Sequence, residues 1–211
     1  MTTSPLADLA SVVRAAQQRG FVGDAPAGDA VDHARGFAAG LDAPPERFLD
    51  LGSGGGLPGL VLLQLWPAAS AVLVDANQKR CAFLRDAVEA LGLDGRAEVL
   101  EGRAEALGRR SELRGGFDVV TARGFGRPAI TAECGAPFLR AGGLLVVSEP
   151  PLDLDPADGP ERWPAEGLAV CGLAPERTWA TRFRYRSLRQ LAACPDRYPR
   201  RVGIPAKRPI F

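Results

Sequence analysis

The chain has one histidine and four cysteines among 211 residues, and these few candidate ligands are scattered. Cys81, Cys134, Cys171 and Cys194 form no C-x-x-C pair and His33 stands alone. Neither a disulfide framework nor a zinc site has the spacing it needs, so no metal is expected. No apolar run approaches the ~18 residues of a membrane span. The N-terminal stretch MTTSPLADLASVVRAAQQRG lacks a basic segment leading into an apolar core, so no membrane association and a cytoplasmic location are expected. A net charge of +1 excludes a uniformly basic surface for nucleic acid but leaves room for a local patch.

What the chain does have is 46% hydrophobic and 24% charged residues, the composition of an ordinary globular protein. It is also rich in glycine at one place. Residues 48–60 read FLDLGSGGGLPGL: an apolar strand, Asp50 at its end, a glycine turn, and a proline opening an apolar helix. Such a turn brings nearly bare backbone against a ligand. A Walker cradle would need Gly-Lys-Ser/Thr where Leu57, Pro58 and Gly59 stand, so a nucleoside triphosphate is not expected. A dinucleotide fingerprint would find Leu57 at its third glycine, and Asp50 would repel the pyrophosphate. The same carboxylate suits an ammonium. Asp75 closes the next apolar run, ASAVLVDA, where a second strand would carry a ribose-binding acid. The pattern D-x-G-x-G-x-G at 50–56 with Asp75 behind it therefore reads as an S-adenosylmethionine site, with Asp50, Gly52, Ser53, Gly54, Asp75 and Ala76 as its cofactor-binding residues.

Helices are expected over 6–18 and 29–41, the second with Asp29 as N-cap. They make residues 1–45 a helical cap. From 46 onward the expectation is one Rossmann-like domain running to 211: strand 47–51, helix 58–66, strand 71–75, helix 77–91, strand 96–100, a short helix at 103–109, strand 117–122, helix 127–139 and strand 143–148. This alternation specifies an α/β fold, a mostly parallel twisted sheet with helices on both faces. The Pro- and Asp-rich segment 149–163 reads as a loop. A short helix near 164–171 follows, and RTWATRFRYRSLRQLA supplies one or two antiparallel strands at the C-terminal edge. Ligands of such sheets bind outside the carboxyl ends of the strands, which here carry Asp50, Asp75, the turn 101–105, Arg123 and Ser148-Glu149-Pro150.

The motifs LDLGSGGGLPGL, VDANQKRCAFLRDAVEALGL, EGRAEAL, FDVVTARGF and YPRRVGIPAKRPIF together resemble the RsmG family, also called glucose-inhibited division protein B. The likeness runs over 29–148 and 197–211. It implies the class I S-adenosylmethionine-dependent methyltransferase fold and methylation of guanine N7 in small-subunit ribosomal RNA. By the resemblance, Gly52 and Leu57 line the methionine side of the cofactor and Ala104 and Glu105 the adenine side. Arg123 lies at the mouth where cofactor and target base meet. Where the family usually carries Lys-Gly after the fifth strand this chain has Glu149-Pro150, so an anion is expected in place of a cation near the RNA. The substrate could then differ. A divergent paralogue acting on a small molecule or protein, and a noncatalytic ribosome-binding module, are the alternatives.

Arg123 is the candidate catalytic residue, because a guanidinium can bond a phosphate or the acceptor edge of guanine and stack on a base. Its competing reading is a structural arginine paired with Glu149 or Glu133. Arg197, Arg200, Arg201, Lys207 and Arg208 form a cationic C-terminal ribbon with phosphates as its partner, ribosomal RNA or the small ribosomal subunit. Its competing reading is a solvated tail pinned by Ile204 and Ile210. His33, with Phe37 four residues on, reads as a packed residue rather than a catalyst.

Overall fold

The computed structural model describes residues 8–151 and 161–211. The first residues expected in helix 6–18 and most of the loop expected at 149–163 lie outside them. Seven strands form one sheet in the order β3-β2-β1-β4-β5-β7-β6. The strands β1 (Arg47–Leu51), β2 (Ser70–Asp75), β3 (Ala97–Glu101), β4 (Phe117–Ala122) and β5 (Leu139–Glu149) pair in parallel, and β6 (Leu173–Ala180) and β7 (Arg184–Gln190) add an antiparallel hairpin through β7. The expected sheet, with its antiparallel C-terminal edge, is what the chain adopts.

The central strands bury both faces, and their period-two alternation divides the core. Leu49, Leu51, Val72 and Val74 enter one cluster; Phe48, Ala71 and Leu73 enter the other. The first cluster is covered by α6 (Pro128–Gly135) with Ala132 and Cys134, and by Leu168 of α7 (Ala165–Ala169). The second is covered by α3 (Gly59–Leu65) through Leu60, Leu62 and Leu63, and by α4 (Gln78–Ala90) through Phe83, Leu84, Ala87 and Val88. At about 25 cal/mol per Å² of apolar area these buried helix faces supply the main driving force of the fold.

Two helices precede the sheet. α1 (Leu9–Gln18) is capped by Asp8, whose side chain accepts from the Ser11 amide. α2 (Ala27–Gly36) starts two residues before the expected cap, with Pro26 at its N-cap, and Asp29 sits in its first turn paired to Arg182 at 2.5 Å. It stops at Gly36 instead of running to 41. A Cβ at Gly36 would lie 2.0 Å from the Tyr185 hydroxyl, and the Gly36 carbonyl accepts from Trp179 Nε1 at 2.8 Å. Contacts with the C-terminal hairpin, invisible in a local reading, thus set that boundary. Val13, Ala30, Val31 and Ala34 of the two helices close over Leu57 and Val61, seating the cap on the glycine turn.

Candidate active site

The turn after β1 depends on glycine for two separate reasons. Gly52 and Gly54 have φ of +74° and +57°, the left-handed region that side chains strain. Gly55 and Gly59 have no such φ but no space either: a Cβ would lie 2.4 Å from Val22 at the first and 2.5 Å from Leu73 at the second. Beside this turn a cleft of about 340 Å³ opens at the carboxyl ends of β1 to β4.

Asp75 forms one wall. Its Oδ2 accepts from the Gly54 amide at 3.0 Å and its Oδ1 from the Asn77 amide at 2.8 Å. Each carboxylate oxygen has two lone-pair directions, so both keep one for a ligand in the cleft they line. Arg80 approaches Asp75 at 3.7 Å, and its buried Nε has no hydrogen-bond partner among the described residues. Ala76, Asn77, Gly102, Arg103 and Phe125 complete the walls with Ala104 and Glu105. A Cβ on Gly52 would meet the Phe125 ring at 2.8 Å, so this floor admits only glycine.

Asp50 does not face that cleft. It is 1% exposed; its Oδ1 accepts from Thr121 Oγ1 at 2.8 Å and its Oδ2 from the Gly59 amide at 3.1 Å. Burial pushes its carboxyl above the usual range, against the pull of those donors and of Arg123. The sequence reading gives Asp50 to the ammonium of a methionine moiety; in this structure its carboxylate ties β1 to β4 and to the start of α3. Ser53, 2% exposed, donates to the Asp50 carbonyl at 3.0 Å. Leu57 packs on the cap helices and lines no part of the cleft. Of the sequence-derived cofactor residues, Gly52, Asp75, Ala76, Ala104 and Glu105 share the cleft wall, and Gly54 touches it through Asp75.

Arg123, half-buried just past β4, makes no hydrogen bond or ion pair with the described residues. Burial lowers its pKa while Asp50 and Tyr185 oppose the shift, so it remains a cation close to both. Neither expected partner takes it. Glu149 is bound by Arg162 at 3.0 Å, Arg186 at 3.2 Å and Trp163 Nε1 at 2.5 Å, and Glu133 is bound by Arg200. His33 stacks on Phe183 with ring centroids 4.2 Å apart, and Tyr185 donates to its carbonyl. Burial and the nearby Arg123 charge push the imidazole down to about 4, so it is neutral at pH 7.

The C-terminal ribbon folds back on the Glu105 side of the cleft. Arg200 binds the fully buried Glu133 through Nε at 2.8 Å and Nη2 at 2.6 Å. Arg200, expected to meet phosphates, has its partly exposed guanidinium bound to Glu133 and to the Arg208 carbonyl. Glu105 accepts from Arg103 Nη2 at 3.0 Å and from the Gly203 amide at 3.1 Å. Burial alone would raise its pKa, but these donors prevail and hold it below the ordinary glutamate value. Arg114 donates to the carbonyls of Cys194, Pro195 and Tyr198. Arg197, Arg201, Lys207 and Arg208 remain exposed. Glu149, the expected anion near the RNA, is flanked among the described residues by Arg162 and Arg186.

Asn77, Arg103 and Phe125 lie in the strand-end segments that the sequence marks, without a role assigned to each, and Arg80 lies in the helix that follows Asp75. Among the described residues no helix is long and apolar enough to cross a membrane, and no cluster of His, Cys, Asp and Glu could hold a metal.

Residues 35–149 match the family model described as rRNA small subunit methyltransferase G. The chain is 37% identical over 172 residues to the ribosomal RNA small subunit methyltransferase G of Rubrobacter xylanophilus, covering 78% of this chain and 65% of the relative. To the protein of that name from Moorella thermoacetica it is 35% identical over 178 residues, covering 81% and 72%. Among solved structures, a putative O-methyltransferase from Klebsiella pneumoniae superposes with a TM-score of 0.63 at 14% identity, covering 90% of this chain and 91% of that one. An O-methyltransferase family protein from Burkholderia thailandensis gives 0.58 at 18%, covering 84% and 63%. At such identities the likeness speaks for the fold alone.

Proposed function

The chain belongs to the rRNA small subunit methyltransferase G family, and from that membership we propose that it methylates N7 of a guanine in small-subunit ribosomal RNA with S-adenosylmethionine as methyl donor. The observation that carries the reading is Asp75: a carboxylate fixed by two backbone amides, with capacity left over, beside a floor that only glycine can form. Arg80 lines the same wall and adds a cation beside Asp75. The residues present therefore suit a nucleoside with a free ribose diol. When bound, S-adenosylmethionine supplies a methyl carbon on a positively charged sulfur.

Asp75 would accept from the ribose hydroxyls, and the backbone of Ala104 and Glu105 would border the adenine. Asp50 acts at one remove, since its bonds to Thr121 and the Gly59 amide hold the turn in shape. Guanine N7 carries an in-plane lone pair and no proton, so no general base is required and none is offered. Positioning is the main task, and holding the reacting atoms at near-attack distance can supply roughly 7 to 11 kcal/mol. Arg123, at the end of β4 and near Asp50 and Tyr185, does not line the cleft in this structure; a turn of its long side chain toward the acceptor would let it meet an oxygen or phosphate.

Arg197, Arg201, Lys207 and Arg208 would take backbone phosphates and make binding salt-dependent. The small ribosomal subunit is then the partner, and the cytoplasm the place of action. The paralogue reading loses its motive once Arg162 and Arg186 flank Glu149. The test is transfer of labelled methyl from S-adenosylmethionine to small ribosomal subunits, followed by digestion to nucleosides. Label in 7-methylguanosine is expected; label in another nucleoside, or none, would overturn the proposal.

A further inference from the structure

Beyond Gly124 and Phe125 a second cleft of about 270 Å³ lies at the carboxyl ends of β4 and β5. Gly124 and Phe125 belong to the walls of both clefts, so they form the partition between them. The second cleft has room for a single base. Its apolar lining includes Phe125, Pro150 and Trp163, and its polar wall is Glu149 with Arg162.

The wall is built from inside the protein. Glu149, whose side chain is 5% exposed, uses Oε1 for Trp163 Nε1 and Arg186 Nε, whereas Oε2 receives only Arg162 Nε at 3.0 Å. Oε2 thus keeps one lone pair. Arg162 uses Nε alone, and its two terminal nitrogens make no hydrogen bond to described residues. An acceptor and a donor fork, both without a further partner among the described residues, therefore sit side by side at the edge of a cavity that Phe125 and Trp163 also line.

We infer that this cleft is the acceptor-base pocket, in which Arg162 donates to O6 and Glu149 accepts from N1–H of a guanine. The inference rests on the proposed guanine N7 reaction. A guanine presents an acceptor, O6, beside the donors N1–H and N2–H2 on its pairing edge, which matches the Arg162-Glu149 order. Adenine presents the reverse, a donor at N6 and an acceptor at N1, and meets two mismatches. Gripping the pairing edge leaves N7, on the other side of the ring, free to face the partition and the methyl donor. Bases splayed from single-stranded RNA are commonly taken by stacking plus edge contacts of this kind. Arg186, at the strand end, braces Glu149 from the other side through Oε1.

The experiment uses the full chain, small ribosomal subunits, and the variants Arg162→Ala and Glu149→Gln. The first removes a partly exposed side chain and should fold; the second keeps the shape of the carboxylate. Each is expected to lower kcat/KM for the subunits about tenfold or more while leaving the Kd for S-adenosylhomocysteine within twofold. With the labelled guanine changed to adenine, the wild type should lose methylation and Arg162→Ala should discriminate less. Unchanged kcat/KM in both variants of an active enzyme would overturn the pocket and leave the proposed function standing. So would a fall in cofactor affinity that matches the fall in kcat/KM. A wild-type protein that binds the cofactor analogue but methylates no RNA would overturn the proposed function and the pocket together.

Discussion

Asp75, at the end of β2, holds the amide of Gly54, in the turn after β1, at 3.0 Å. The two halves of the cofactor motif are one hydrogen-bonded unit, and neither can move without the other. Asp75→Asn places an amide nitrogen opposite one of two backbone N–H groups and withdraws an acceptor from the ribose. The Kd for S-adenosylhomocysteine should rise about ten- to a hundredfold, roughly 1.4 to 2.8 kcal/mol. Calorimetry reads this directly, and an unaltered Kd would remove Asp75 from the site.

Asp50 should behave differently. It is buried and serves Thr121 and Gly59, so Asp50→Asn leaves an amide N–H facing a donor and should destabilise the fold by about 1 to 3 kcal/mol. Urea unfolding tests it. Weakened cofactor binding at undiminished stability would restore Asp50 to direct contact with the ligand.

The contrast between these two acids shows what the sequence could convey. The glycine turn, Asp75 and the alternation of strands and helices are written in local patterns, because period, turn chemistry and strand ends are local properties. That Asp50 points inward and Leu57 packs under the cap depends on α2 and β4, far away in the chain. The same holds for α2 ending at Gly36, where Tyr185 and Trp179 arrive from the C-terminal hairpin. The partners of Glu149 are hidden for the same reason: Arg162 and Arg186 lie 13 and 37 residues onward.

The C-terminal cations should divide into two kinds. Arg200→Ala strands a fully buried Glu133 carboxylate, and breaking such a pair costs about 3 to 5 kcal/mol. Arg201→Ala touches only an exposed side chain and should leave the melting temperature unchanged. It should instead flatten the dependence of RNA affinity on salt by about one counterion. Thermal unfolding and a salt titration of RNA binding separate the two, and equal effects on stability would contradict the division.

His33 predicts a pH effect with a definite sign. Its folded-state pKa of about 4 lies below the ordinary 6.5, so between those values the unfolded chain binds a proton that the folded chain refuses. Stability from this group is therefore full above about 6.5 and declines as pH falls toward 4. His33→Phe, which can keep the stack on Phe183, should flatten the profile over that window. Urea midpoints at a series of pH values decide it; parallel profiles for the two proteins would mean that His33 is solvated.

The central claim is where the methyl donor sits, and a crystal grown with S-adenosylhomocysteine examines it most directly. The account predicts density in the cleft beside Gly52, with the ribose hydroxyls on Asp75 and the adenine bordered by Ala104 and Glu105. A ligand found elsewhere, or a ribose turned away from Asp75, would contradict it.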